Sequence, residues 1–299
     1  MSSEISIIDT AVGFTIPDQH ARGRLVRLGP ALDRVLGAHG YPPVVEKLLA
    51  EAMVMTALLG STLKDEEGQL TLQAQAEGGA IELLVADYKN GVIRGYIRHD
   101  AERLAEIPAD PSLFGLFGKG YLAITFDQAT TGERYQGIVP LEGGSLAEAA
   151  EAYFSQSEQL PSLVRLAARR LPDGRHVAGG LLVQHLPEGE EGRDRIHTRL
   201  DHPEWEHVKA LAQTVTVAEL TDPGLSFETV LWHLFNEDEV RMYPAVDLAQ
   251  GCRCDPVHFR SVIARFPEDQ RGEMADENGE IHVDCEFCAS RYTLTLDSF

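Results

Sequence analysis

From Val44 to Leu63 the chain is almost continuously apolar or small, interrupted by Glu46, Lys47 and Glu51, and Pro42 and Pro43 stand just ahead of the run. Such a stretch, entered through proline, predicts a helix buried on most of its sides. Ala21 to His39 places Leu25, Leu28, Leu32, Val35 and Leu36 at helical spacing and predicts a second helix, bent or split at Pro30. At Gln69 the period falls to two: Leu70 and Leu72 alternate with Thr71 and Gln73, and strand-like runs follow at Ile81 to Tyr88, Val92 to Ile97, Tyr121 to Phe126 and Glu133 to Leu141. Gly78-Gly79, Asn90-Gly91 and Thr131-Gly132 separate these runs, and Asn-Gly between apolar runs is a hairpin signal. The expected fold is therefore α+β, with an antiparallel sheet packed by the early helices.

Ser145 and Glu148 have capping-box spacing and open a helix expected to reach about Gln159, where Pro161 stops it. Strands are expected to return at Leu163 to Arg169 and His176 to Leu186. Pro187 to His202 carries eight charged residues among sixteen, too polar to build a core alone. Two helical patterns follow, Pro203 to Val215 and Phe227 to Asn236, the second with Ser226 at its N-cap. Trp205, Val208, Leu211, Val215, Phe227, Val230, Leu231 and Leu234 form apolar stripes that must cover something. The division expected is a core domain over residues 1–187, a charged and helical linker over 188–238, and a small α+β module over 239–299.

The 299 residues hold 26 Lys and Arg against 47 Asp and Glu, a net charge of −21 that repels nucleic acid and anionic membrane surfaces. Met1 to His20 has neither a basic start nor an apolar core, so it does not read as a secretory signal. The longest mostly apolar stretch, Ala52 to Leu59, is far short of the roughly 20 residues a membrane helix needs. A soluble, cytoplasmic protein is expected.

All four cysteines fall in the last 48 residues, as Cys252-Arg-Cys254 and Cys285-Glu-Phe-Cys288 with thirty residues between the pairs. Four soft ligands gathered locally suit one tetrahedral zinc ion. The second pair lies between the strand-like runs Glu280 to Val283 and Tyr292 to Leu296, where it can form a knuckle in a hairpin turn. Asp255-Pro256 opens a helix to about Arg265, and Pro267 starts another short element. So few apolar residues occur here that metal binding, on the order of 10–16 kcal/mol in zinc-finger peptides, should supply much of the module's stability. His258 and His282 are close in sequence, but four thiolates already complete a tetrahedron. The spacing leaves a purely structural zinc ribbon open. The C-x-C pair, which closes a tighter disulfide ring than C-x-x-C, makes a redox role suggestive.

Together with the cysteine pattern, Tyr153-Phe-Ser-Gln-Ser-Glu-Gln-Leu-Pro161, Gly179-Gly-Leu-Leu-Val-Gln-His-Leu-Pro187 and Val230-Leu-Trp-His-Leu-Phe235 give the whole chain a resemblance to the bacterial 33-kDa heat-shock protein family, redox-regulated holdase chaperones. The resemblance implies one zinc ion on Cys252, Cys254, Cys285 and Cys288 in a reduced, monomeric, resting state. It implies an oxidised, zinc-free, dimeric state that holds unfolding proteins without ATP, and no Walker-type phosphate loop occurs here. With it come disulfides joining Cys252 to Cys254 and Cys285 to Cys288, the second pair expected first, and a client-binding surface drawn from Trp205, Leu211, Val215, Phe227, Leu231 and Leu234. Only eleven residues follow Cys288, where some members carry a longer tail. The competing reading is an enzyme, either a thiol-disulfide oxidoreductase or a catalyst bearing a zinc ribbon. A thioredoxin-like enzyme would need its C-x-x-C at a helix N-terminus after a strand. Tyr153 to Pro161 shows no paired nucleophile and base and is expected to brace a helix end.

Overall fold

The computed structural model describes residues 8–63, 65, 67–108, 110–186 and 203–299, so the charged stretch from Pro187 to His202 lies outside the described residues. Thr10–Ile16 (β1) and Ala21–Leu28 (β2) form an antiparallel pair, and helix begins only at Pro30–Gly37 (α1). The first half of the stretch expected as one helix is thus a strand. Leu25 faces one buried cluster while Val26 and Leu28 face another. A strand buried on both faces loses its alternation, so spacing alone cannot tell it from a helix.

Pro43–Gly60 (α2) is the long buried helix the sequence predicts, with Val45, Leu49, Ala52, Met53, Val54 and Met55 fully buried. Next come Gln69–Glu77 (β3), Ile81–Lys89 (β4), Val92–His99 (β5), the short helices Ala101–Ala105 (α3) and Leu113–Phe117 (α4), then Lys119–Asp127 (β6) and Arg134–Pro140 (β7). Asn90 and Gly91 both have positive φ, 48° and 75°, which is why that dipeptide can close the β4–β5 hairpin. Leu146–Tyr153 (α5) is capped by the Ser145 hydroxyl, which accepts from the Glu148 amide. The Glu148 carboxylate returns to the Gly144 amide and not to Ser145, so the expected box is opened by one residue. One π turn, Phe154–Glu158, carries the chain on to Gln159.

Ser162–Arg170 (β8) and His176–His185 (β9) complete the strands of the core, which form two sheets where one was expected. One has the order β2 beside β9 beside β8 with β1 on its outer flank, and the other runs β5, β4, β3, β6, β7. α2 lies between them, touching β2, β8 and β9 on one side and β3, β4 and β5 on the other. Burial from both sides explains its all-round apolar sequence.

Pro203–Ala212 (α6), Val217–Thr221 (α7) and Phe227–Phe235 (α8) cover the other face of the first sheet. α7 was not expected, although Thr216 and Glu219 make a complete capping box ahead of it. Arg27 of β2, fully buried, donates from its guanidinium to the carbonyls of Glu219, Leu220 and Leu225 and lies 5.0 Å from the Phe227 ring. Gly179 admits α7: a Cβ there would stand 2.1 Å from the Leu220 carbonyl oxygen. From α8 the chain runs as a strap of three two-residue strands, Arg241–Met242 (β10), Val246–Asp247 (β11) and Ala249–Gln250 (β12). β10 and β11 pair antiparallel with β1, and β12 pairs parallel with β5. The last residues fold as Pro256–Ile263 (α9), Glu268–Met274 (α10) and a hairpin of Glu280–Asp284 (β13) and Arg291–Thr295 (β14).

Glu51 of α2 borders a cavity of about 600 Å³ with Lys47 and Asp110. Burial raises its carboxyl to about 7, with Lys47 opposing and Asp110 adding to the rise. The folded state therefore holds this proton more tightly than the unfolded chain, and the stability it contributes is lost as pH climbs from about 4.5 through 7. Glu51→Gln is expected to stabilise the protein by about 1–3 kcal/mol at pH 8 and by little at pH 5, read as the difference in urea midpoints from wild type.

Candidate metal centre

Cys252 follows directly on the strap, whose Gly251 amide donates to the Ile93 carbonyl of β5. Asp255 caps α9 by accepting from the Val257 amide, which turns the chain away after the first pair. The second pair occupies the β13–β14 turn as expected: the Cys285 amide donates to Ser290, the amides of Cys288 and Ala289 donate to the Cys285 carbonyl, and Ala289 has φ 53°. Beneath this knuckle the lobe buries Ile263, Ile281 and Leu294, with Phe259, Val283, Leu296 and Phe299 packed around them. That is a small core for some fifty residues.

All four sulfurs lie within 4.8 Å of one another and none is in a disulfide. Sγ of Cys252 stands 3.5 Å from that of Cys285, and Sγ of Cys254 stands 3.6 Å from that of Cys288. A tetrahedral zinc site with Zn–S near 2.3 Å has sulfur edges of about 3.8 Å, so the donor set and its spacing are compatible with zinc. His258 and His282 are exposed outside the cluster, and His282 instead meets Thr293 and Asp276. Burial raises the thiols of Cys252, Cys254 and Cys285. At Cys288 burial acts the same way but is outweighed by the Ser290 hydroxyl and amide and by Cys252 and Cys254, and the thiol comes down to about 7. The Tyr292 hydroxyl is 2.9 Å from Cys254 Sγ, a contact that pushes its own proton loss up to about 12.

The residues between the cysteines dock the lobe. Arg253 reaches past the first pair to Gln69 of β3 and to the buried Asp87 of β4. Asp87 in turn receives Arg94 of β5 through both oxygens, at 3.1 and 3.0 Å from Nε. The Arg94 guanidinium lies 3.9 Å from the centre of the Phe287 ring, which also meets Tyr96 edge-on at 4.9 Å. Glu286 stands 3.9 Å from Arg98, and the Phe287 carbonyl stands 3.4 Å from His39 Nε2. The spacing of the cysteines could not reveal these partners, because Asp87 and Arg94 look like ordinary polar positions of a half-buried sheet. Asp87→Asn leaves two guanidinium groups without their shared anion. It is expected to weaken zinc affinity at least tenfold while leaving the far-UV circular dichroism of the core unchanged, as read by chelator competition.

The six apolar residues expected to form the client-binding surface are brought together on one sheet face. Trp205, Phe227, Leu231 and Leu234 are buried against it, and Leu211 and Val215 are half-buried. Trp232, 65% exposed, faces away. In the Tyr153 to Pro161 segment, the Tyr153 hydroxyl donates to Glu158 at 2.8 Å across the π turn. No helix among the described residues is long and apolar enough to cross a membrane.

Residues 9–295 match the family model described as Hsp33 protein. The 33 kDa chaperonin of Caulobacter vibrioides is 40% identical over 302 residues, covering 98% of this chain and 97% of that protein. The 33 kDa chaperonin of Yersinia pestis is 36% identical over 279 residues, covering 93% and 89%. The crystal structure of the 33 kDa chaperonin from Thermotoga maritima shares the fold with a TM-score of 0.79 over 97% of this chain and 96% of that one, at 21% identity.

Proposed function

The chain belongs to the Hsp33 family of chaperones, and from that premise we propose that it is a redox-regulated, ATP-independent holdase in the cytoplasm whose switch is the four-cysteine cluster. The observation that carries this reading is the gathering of four unbonded sulfurs within 4.8 Å in a lobe with three buried apolar residues. A bound zinc ion, held by Cys252, Cys254, Cys285 and Cys288, would keep all four sulfurs as thiolates and close the lobe.

Oxidation starts at the second pair. The Cys288 thiolate attacks the O–O bond of a peroxide, forming a sulfenic acid as hydroxide leaves. The Cys285 thiolate then displaces the sulfenic oxygen, so two thiolates, one hydrogen peroxide and two protons become one disulfide and two waters. Cys252 and Cys254 react in the same way afterwards. Sγ of Cys285 lies 3.5 Å from that of Cys252 and Sγ of Cys288 lies 3.6 Å from that of Cys254, so closing a bond within the second pair draws its sulfurs away from the first and dismantles the cluster. Once bonded, the sulfurs carry no charge to hold a cation, and the lobe loses its order. The helical layer with Trp205, Leu211, Val215, Phe227, Leu231 and Leu234 then loosens, and this apolar surface captures unfolding clients while the net charge of −21 keeps the complex dispersed. The reduced protein is a monomer and the oxidised one a homodimer.

Thiol-disulfide exchange catalysis is less well supported, because Cys285 and Cys288 occupy a hairpin turn and not a helix N-terminus. The test is aggregation of a thermally unfolding protein, followed by light scattering with reduced and peroxide-treated chaperone while zinc release is measured. Suppression only after treatment, with about one zinc released per chain, is expected. Equal suppression by both forms would remove the redox switch, and catalysed disulfide exchange would favour the enzyme.

A further inference from the structure

The strap over residues 241–251 closes one edge of each sheet, β1 in the first and β5 in the second, and it does so largely through its backbone. Tyr243 donates to Gly13 at 2.8 Å and Leu248 to Asp9 at 2.7 Å along β1, while Ala249 donates to Gly91 at 2.9 Å and Gly251 to Ile93 at 3.2 Å along β5. Leu248 is the one buried side chain in residues 241–250, and it enters the cluster between the sheets. Tyr243 is 55% exposed and Val246 38%. Met242 is half-buried against the core beneath the helical layer, so the edges hold an extended chain by its backbone and by two apolar side chains, Met242 and Leu248. They do so in short pieces, interrupted at Pro244, and the piece on β5 runs straight into Cys252.

An unpaired strand edge is a template for any extended backbone. We propose that the edges of β1 and β5, vacated by this strap when the cysteine lobe loses its order, bind extended main-chain segments of unfolding proteins by strand addition, with the Leu248 position taking one apolar side chain. The proposal rests on the redox-switched reading above and names the chemistry by which that switch would recognise clients: paired amides and carbonyls, which every unfolded chain exposes and a native surface mostly does not. It accounts for capture with little sequence preference, since the resident segment is held by backbone bonds and only the Met242 and Leu248 side chains.

The probe is a blocked octapeptide of alternating Thr and Val with a Lys at each end, and a second copy N-methylated at alternate residues, which removes the donors along one edge while keeping every side chain. Binding to peroxide-treated, full-length protein is measured by fluorescence anisotropy, alongside amide hydrogen exchange and the aggregation assay. Expected are binding to the oxidised protein only, at least tenfold weaker binding of the methylated copy, and slowed exchange at Gly13 and Ile93. In the oxidised form, Gly13→Pro, which removes a donor beside Tyr243 without touching the bonds to β2, should weaken binding of the unmethylated peptide severalfold. Should that variant fail to fold, the two peptides on wild type decide alone. A protein that suppresses aggregation yet binds both peptides alike overturns the edge proposal and leaves the switch standing. One that suppresses nothing and binds neither overturns both.

Discussion

Stripping metal from the reduced protein with a high-affinity chelator is expected to unfold residues 252–299 while both sheets of the core stay intact. The lobe buries Ile263, Ile281 and Leu294 and little else. Each ordered residue costs about 1–2 kcal/mol of backbone entropy, which a core of that size cannot offset. A metal on four thiolates contributes on the order of 10–16 kcal/mol to comparable small modules. Hydrogen exchange should therefore show protection in 252–299 collapsing on chelation and returning with zinc, with β3, β4 and β9 unchanged. Cys285→Ser, which removes the buried member of the cluster, should give the same pattern without chelator. A lobe still protected after complete metal removal would falsify the idea that the cysteine cluster holds it folded.

The second large effect is expected at Arg27. Its guanidinium is fully buried and holds three carbonyls of the helical layer, and it has no carboxylate partner among the described residues. Burial lowers its pKa to about 10, with Asp222 opposing, so the side chain stays charged at neutral pH. Arg27→Met keeps the bulk and removes every donor, leaving the Glu219, Leu220 and Leu225 carbonyls short of partners at roughly 1–3 kcal/mol each where they are buried. The layer should lift from the sheet in the reduced, zinc-bound protein. In a Trp232→Phe background, Trp205, 3% exposed, is the single tryptophan, and its emission should move to the red, as is also expected on oxidation of the Trp232→Phe parent. Arg27→Lys should restore the layer only in part, because an ammonium cannot reach three carbonyls in a fixed fork. Unchanged Trp205 emission and unchanged exchange in 203–235 would show that the layer does not depend on this anchor.

Much of this was readable along the chain because it is written in local signals. The Asn90-Gly91 turn, the Ser226 and Asp255 caps, the two-residue period of β3 to β7 and the apolar length of α2 each depend on a handful of consecutive residues. The cysteine cluster was legible for a related reason: thiolates in this number and spacing have few other uses. Ala21 to Leu28 was misread as helix because a strand covered on both faces has lost the alternation that identifies it, and α7 was missed because five residues are too few to show a period.

By itself, then, the sequence determined which segments are helical or extended in the sheet of β3 to β7, where the sulfurs converge and which residues of the linker helices must be covered. Only the tertiary structure decided that the strands split into two sheets around α2, that Arg27 and Gly179 receive the helical layer, that Arg253 and Phe287 seat the lobe on Asp87 and Arg94, and that residues 241–251 close one edge of each sheet. The first set follows from backbone preferences and ligand chemistry acting within a few residues. The second depends on partners some 40 to more than 230 positions apart, brought together only when apolar faces are buried, and such pairings leave no periodic trace in the chain.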